Sequence, residues 1–196
     1  AKQFSSTRQY VWKGVKKYLD KLPAKSKVLD AGCGNGKNMN YRKDLDFVGI
    51  DTCPELLQIA KQFGNTIRAS VLNLPFDSNS FDSVICIAVL HHLSTVQRRQ
   101  QAIQELIRVV KPEGTLYIQV WAEENNTRKK RFKLDLDSSN NYMIPWLDQK
   151  GEQHMRYYCL FSENHLKDLL PDNVEIIEYY NECENWCIEV QKKMNF

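Results

Sequence analysis

No run of apolar residues in this chain approaches the roughly 20 that a membrane-spanning helix requires, and no signal-peptide pattern opens it. A soluble protein working off the membrane is therefore expected. Neither sign of charge is in large excess: 27 Lys and Arg against 24 Asp and Glu leave a formal net charge of +3. That balance permits an acidic partner such as RNA without demanding one. The six cysteines (Cys33, Cys53, Cys86, Cys159, Cys183 and Cys187) include no Cys-x-x-Cys pair. Cys183 and Cys187 stand four apart, but no second pair at ligand spacing completes a zinc site, so no metal is expected. A chain of 196 residues can bury a core without disulfides. The thiols therefore read as reduced, and the expected location is the cytoplasm, extending to the nucleus. Repeats, low-complexity tracts and linkers are missing too, which leaves residues 1–196 as one domain. The chain opens on Ala1 instead of Met, so a trimmed natural start is expected.

What is present is an alternation. Trp12, Val15, Leu19 and Leu22 recur at helical spacing until Pro23 stops the pattern. Short apolar runs follow, reading as buried strands at Val28–Ala31, Phe47–Asp51, Phe81–Ala88 and Thr115–Trp121. Helical patterns lie between them at Pro54–Phe63 and Val96–Val110, the second with Ser94 and Gln97 as a capping box. Strands alternating with helices predict a parallel α/β sheet covered on both faces. The end differs: Val174–Tyr180 and Trp186–Gln191 are joined only by Asn181–Asn185, which permits an antiparallel hairpin and nothing else.

The first strand runs into Gly32-Cys-Gly-Asn-Gly36. Gly32, Gly34 and Gly36 allow a sharp turn and close approach to a ligand, and a helix beginning near Lys37 would add unpaired N–H groups. A dinucleotide site needs its third glycine where this chain has Lys37. Asp30 before the turn suits a cationic amino group better than a pyrophosphate, which points to the methionine part of S-adenosylmethionine. Asp51 ends the second strand about 20 residues after the glycines, where a carboxylate can take both ribose hydroxyls.

On these residues the chain resembles the class I methyltransferases. The resemblance implies a Rossmann-like seven-stranded sheet of order 3-2-1-4-5-7-6 with strand seven antiparallel and helices on both faces. It also implies cofactor contacts from Asp30, Ala31, Gly32, Gly34, Gly36, Asp51, Thr52 and Ile87, with adenine held by the loop Ser70–Asn73, including Val71. Many relatives carry Asp where this chain has Ser70.

A narrower resemblance rests on Phe4-Ser-Ser-Thr-Arg8, Ile87-Ala-Val-Leu-His-His92, Ile144-Pro-Trp146, Arg156-Tyr-Tyr158 and Glu184-Asn-Trp186, in that order. Together they are similar to the eukaryotic tRNA wobble-uridine carboxymethyl methyltransferases. The implied reaction esterifies the carboxylate of 5-carboxymethyluridine, which is already ionised at neutral pH and needs no strong base. Catalysis then falls to positioning, for which an arginine fork suits a carboxylate. The implied catalytic set is Arg8, His91, His92, Arg156, Asn185 and Trp186, with His92 favoured over His91 and Trp186 as a stacking platform for a splayed base. RNA contacts are expected from Tyr157, Trp146 and the basic run Arg128, Lys129, Lys130 and Arg131.

Two other functions compete: a small-molecule methyltransferase, which needs no basic rim, and a scaffold that has lost the cofactor, against which Asp30, the glycines and Asp51 stand. The resemblance also implies a small zinc-binding activator subunit forming a heterodimer. A physical reason lies in the third strand, Asn65–Val71, an edge with little charge and no Pro. The neighbouring helix adds Leu56, Leu57, Ile59, Ala60 and Phe63, more apolar surface than one face needs.

Overall fold

Helix α1 (Lys13–Asp20) turns Gly14, Val15, Tyr18 and Leu19 inward, a spacing of three and four that makes this stretch helical. It belongs to a computed structural model that describes residues 10–124, 133–134, 140–147 and 151–194. Next in order come β1 (Lys27–Ala31), β2 (Asp46–Asp51), α2 (Pro54–Ala60), β3 (Asn65–Arg68), β4 (Phe81–Ile87), α3 (Val96–Val109) and β5 (Val110–Trp121). The remaining strands are β6 (Lys133–Leu134), β7 (Asn141–Leu147), β8 (Gln153–Cys159), β9 (Val174–Glu182) and β10 (Asn185–Lys192).

The main sheet has the order β3-β2-β1-β4-β5-β10-β9. Neighbours among β1–β5 pair in parallel, whereas β10 is antiparallel to both β5 and β9. With β9 and β10 in sixth and seventh place, this is the expected class I methyltransferase order. Period two along β4 explains the two layers. Val84 and Cys86 pack with Ile103, Leu106 and Ile107 of α3, while Ile85 and Ile87 face a second core holding Val15, Tyr18 and Leu19 of α1 and Leu57 of α2.

Several local expectations are corrected. Residues 37–41 form successive turns in place of the helix expected near Lys37. Asn38 directs its side chain inward to Asp30, the kind of competition that disfavours helix. The cap of α3 is Thr95, whose Oγ1 accepts from the Arg98 N–H at 3.2 Å. Ser94 lies one residue too early, and its carbonyl accepts from the Tyr157 hydroxyl instead. Strand β3 stops at Arg68, and Ser70 instead bridges Asn73 across a tight turn. The terminal hairpin turns on Cys183 and Glu184 alone, with φ of 47° and 61°. A two-residue turn with both φ positive matches the twist of the flanking strands, and its residues here are not the usual Asn-Gly.

The sequence reading lacked the second sheet, β6-β7-β8, which is antiparallel and lies between β5 and β9 in the chain. Its β7–β8 hairpin pairs Ile144 with Arg156 and Tyr142 with Tyr158.

Candidate active site

The glycine turn is tied down from both sides. Gly32 and Cys33 N–H groups donate to the Ile50 carbonyl, both at 2.8 Å. Gly32 has φ 86°, and a Cβ there would sit 2.2 Å from Val89 Cγ2, so no side chain fits. At Gly36 a Cβ would come within 2.9 Å of the α2 backbone at Ala60. Asp51, where β2 ends, receives two loop amides: Gly34 N–H on Oδ2 at 3.0 Å and Cys53 N–H on Oδ1 at 2.9 Å. Those bonds fix the carboxylate plane.

A cavity of about 490 Å³ opens beside this turn, within the range of small-molecule sites. Gly32, Gly34, Asp51 and Thr52 line it, with Ser70 and Val71 from the segment after β3 and Ile87 and Val89 from the end of β4. His92, Arg98 and Arg156 line the same cavity. Asp30, Ala31 and Gly36, expected as cofactor contacts, do not: Asp30 and Ala31 are fully buried in β1, and Gly36 packs under α2. Asp30 Oδ2 accepts from Asn38 Nδ2 at 3.3 Å, and among the described residues Oδ1 has no partner. Burial pushes its pKa up to about 7. The residues present fit S-adenosylmethionine: an oriented carboxylate for the ribose, apolar walls for adenine, a glycine cradle that any Cβ would fill, and an orphaned carboxylate oxygen beneath it.

The two histidines separate. His91 is fully buried, and its Nδ1 accepts the Trp121 N–H at 3.2 Å. His92 faces the cavity with Nδ1 3.2 Å from the Tyr157 carbonyl. Both rings pack on Tyr158, at 5.3 Å and 4.5 Å between centroids. Arg156 comes from β8, half-buried and on the same strand face as Tyr158. Tyr157 is on the other face, packed against the main core with its hydroxyl on Ser94 O, and it does not line the cavity.

The hairpin residues are also spoken for. Asn185 is buried and donates Nδ2 to the Glu182 and Cys183 carbonyls at 3.1 and 2.7 Å, closing the turn. Trp186 stacks on Tyr179 at 5.0 Å and 9° and donates Nε1 to Glu124 Oε2 at 2.9 Å. Neither lines the cavity. Arg8 and Arg128, Lys129, Lys130 and Arg131 lie outside the described residues, as does the side chain of Trp146, whose backbone pairs with His154. The start of the described chain is near the turn: the Tyr10 carbonyl accepts from Lys37 Nζ at 3.2 Å.

Arg98 is a charged cavity residue absent from the site residues expected from sequence, as are the apolar lining residues Leu56, Val89 and Leu93. Its signal was available, since the first turn of a helix that directly follows a strand-end His-His lies at the same sheet edge.

A family model described as a methyltransferase domain matches residues 29–118. A tRNA (carboxymethyluridine(34)-5-O)-methyltransferase of Schizosaccharomyces pombe is 32% identical over 212 residues, covering 98% of this chain and 92% of the relative. An Arabidopsis thaliana protein of the same name is 47% identical over 125 residues, covering 63% of this chain and 31% of its own greater length. Among solved structures, a methyltransferase in complex with the Haloferax volcanii Trm112 methyltransferase activator matches with a TM-score of 0.72 at 16% identity, covering 99% of this chain and 93% of that one. At that identity the likeness concerns the fold.

Proposed function

The chain belongs to the S-adenosylmethionine-dependent tRNA (carboxymethyluridine) methyltransferases, and we propose that the cavity between Asp51 and Arg156 is where it converts the carboxylate of wobble 5-carboxymethyluridine into a methyl ester. One observation carries this assignment: a single cavity holds both a carboxylate oriented for ribose and an arginine suited to an anionic second reactant.

Bound S-adenosylmethionine supplies an electrophilic methyl group on a sulfonium sulfur. Asp51 accepts the ribose hydroxyls, and Ser70, Val71 and Ile87 border the adenine. Arg156 holds the acceptor carboxylate by its planar fork and aims one oxygen along the line of transfer, a proximity effect. Arg8 joins it in this reading on the strength of the family resemblance. No residue removes a proton, because a carboxylic acid of pKa about 4 is already ionised at neutral pH. His92 donates Nδ1–H to Tyr157 O and so holds its ring against the cavity wall. The test is methyl transfer from labelled cofactor to total tRNA, followed by nucleoside mass spectrometry. Label in the methyl ester of 5-carboxymethyluridine is expected; label elsewhere would overturn the reading.

The same proposal includes a small zinc-binding activator subunit that extends the sheet at β3. Its support is an edge strand with Ile67 40% exposed, and the activator complex formed by the Haloferax neighbour. The apolar excess of α2 supports it less, since Leu56, Leu57 and Ala60 are buried. Low activity for the isolated chain and recovery on adding the activator are expected. A fully active monomer would remove this part. A cytoplasmic location completes the proposal, supported by six free thiols.

A further inference from the structure

Two consecutive arginines open α3, and they do different things. Arg99 is buried and donates Nη1 to the Leu93 carbonyl at 2.7 Å, a bond that holds the loop before the helix. Arg98 is exposed and lines the cavity. Among the described residues its guanidinium makes no hydrogen bond, ion pair or ring contact; only its backbone N–H is engaged, on the Thr95 cap. Its position also opposes stability. The first turn of α3 holds no acidic residue, and a cation there faces the positive end of the helix dipole. A large cation placed at that end, with nothing among the described residues to pair with, is matched to an anion that arrives from outside.

We propose that Arg98 binds a phosphodiester of the RNA strand beside the target nucleotide, and so selects a polymeric substrate over a free nucleoside. This rests on the reading of the cavity as the methyl-transfer site. The substrate brings two kinds of anion, a carboxylate on the base and phosphates on the backbone. The cavity brings two arginines at different depths: Arg156 is half-buried and Arg98 exposed. The reacting group enters the cavity, so its carboxylate meets the half-buried arginine. The backbone stays at the mouth, where Arg98 and the positive helix end lie together. Guanidinium suits the role because it is always charged and can take two phosphate oxygens at once.

The experiment compares Arg98→Gln and Arg98→Lys with the parent, using an anticodon stem–loop RNA that carries either uridine or 5-carboxymethyluridine at the wobble position. Binding is read by fluorescence anisotropy across a salt series, and cofactor affinity by calorimetry. Arg98→Gln should weaken binding of both RNAs by about tenfold, the loss typical of one charge-assisted hydrogen bond. Its log-affinity slope against log salt should fall by about 0.7, the value for one single-strand phosphate. Arg98→Lys should restore the slope, and cofactor affinity should not move. Unchanged RNA affinity and slope would overturn the proposal. So would a loss confined to the carboxymethyl RNA, which would make Arg98 a carboxylate ligand, or a loss of cofactor affinity. Failure of the reaction itself would show as absent turnover by the parent, and the binding arms read Arg98 independently of it.

Discussion

His91 and His92 are adjacent, with ring centroids 4.5 Å apart at 80°, and they use Nδ1 in opposite senses. The Trp121 amide can only donate, so His91 Nδ1 is the acceptor nitrogen. The Tyr157 carbonyl can only accept, so His92 Nδ1 carries hydrogen. One imidazole is built into the end of β5 and the other into the cavity wall. His91→Ala should therefore destabilise the fold by about 2–4 kcal/mol, the range for emptying a buried site. His92→Ala should leave the melting temperature nearly unchanged while lowering methylation. Thermal unfolding and turnover measured on both variants separate the two roles.

Asp51 organises Gly34 and Cys53 as well as facing the cavity. Asp51→Ala should weaken cofactor binding by about 1.5–3 kcal/mol, the scale of hydrogen bonds to a charged group. Isothermal calorimetry gives the number directly, and equal affinity in the variant would remove Asp51 from the ribose.

Asp30 links the stability of the free protein to pH. Burial raises its pKa from 3.8 to about 7, so in the cofactor-free protein it is largely protonated at pH 6. A raised carboxyl pKa contributes stability below the unfolded value that is lost as pH climbs through the folded one. The free protein should thus lose stability between about pH 4 and about 7 from this group, and Asp30→Asn should flatten that decline. Thermal unfolding of both proteins across that pH range checks the difference.

The turn between β9 and β10 holds Cys183 at φ 47°, a region costly for most L-residues. Asn tolerates it and favours this turn type, so Cys183→Asn should stabilise the protein by about 0.5–1 kcal/mol. Denaturant titration checks the sign, and a loss of stability would mean that the exposed thiol has an unrecognised partner.

Sequence by itself determined the architecture and the glycine turn beside the cavity. Short continuous apolar runs between helical patterns fit strands of a sheet covered on both faces, and a five-residue connection permits only a hairpin. Gly32 and Asp51 were legible because their roles are local: a turn with no room for Cβ, and a carboxylate at a strand end. What the tertiary structure decided depends on contacts between residues far apart in the chain. His92 meets Tyr157 across 65 positions and His91 meets Trp121 across 30, so nothing in the pair His91-His92 tells which ring faces the cavity. Arg98 and Arg99 are identical in type, and the packing of α3 buries Arg99 while leaving Arg98 exposed at the cavity. Trp186 and Asn185 sit together in one motif, and the fold brings Tyr179 and Glu124 to the first and the turn carbonyls to the second. Spacing along a chain sets the face a side chain takes, but burial and pairing are set by whatever the rest of the fold brings against that face.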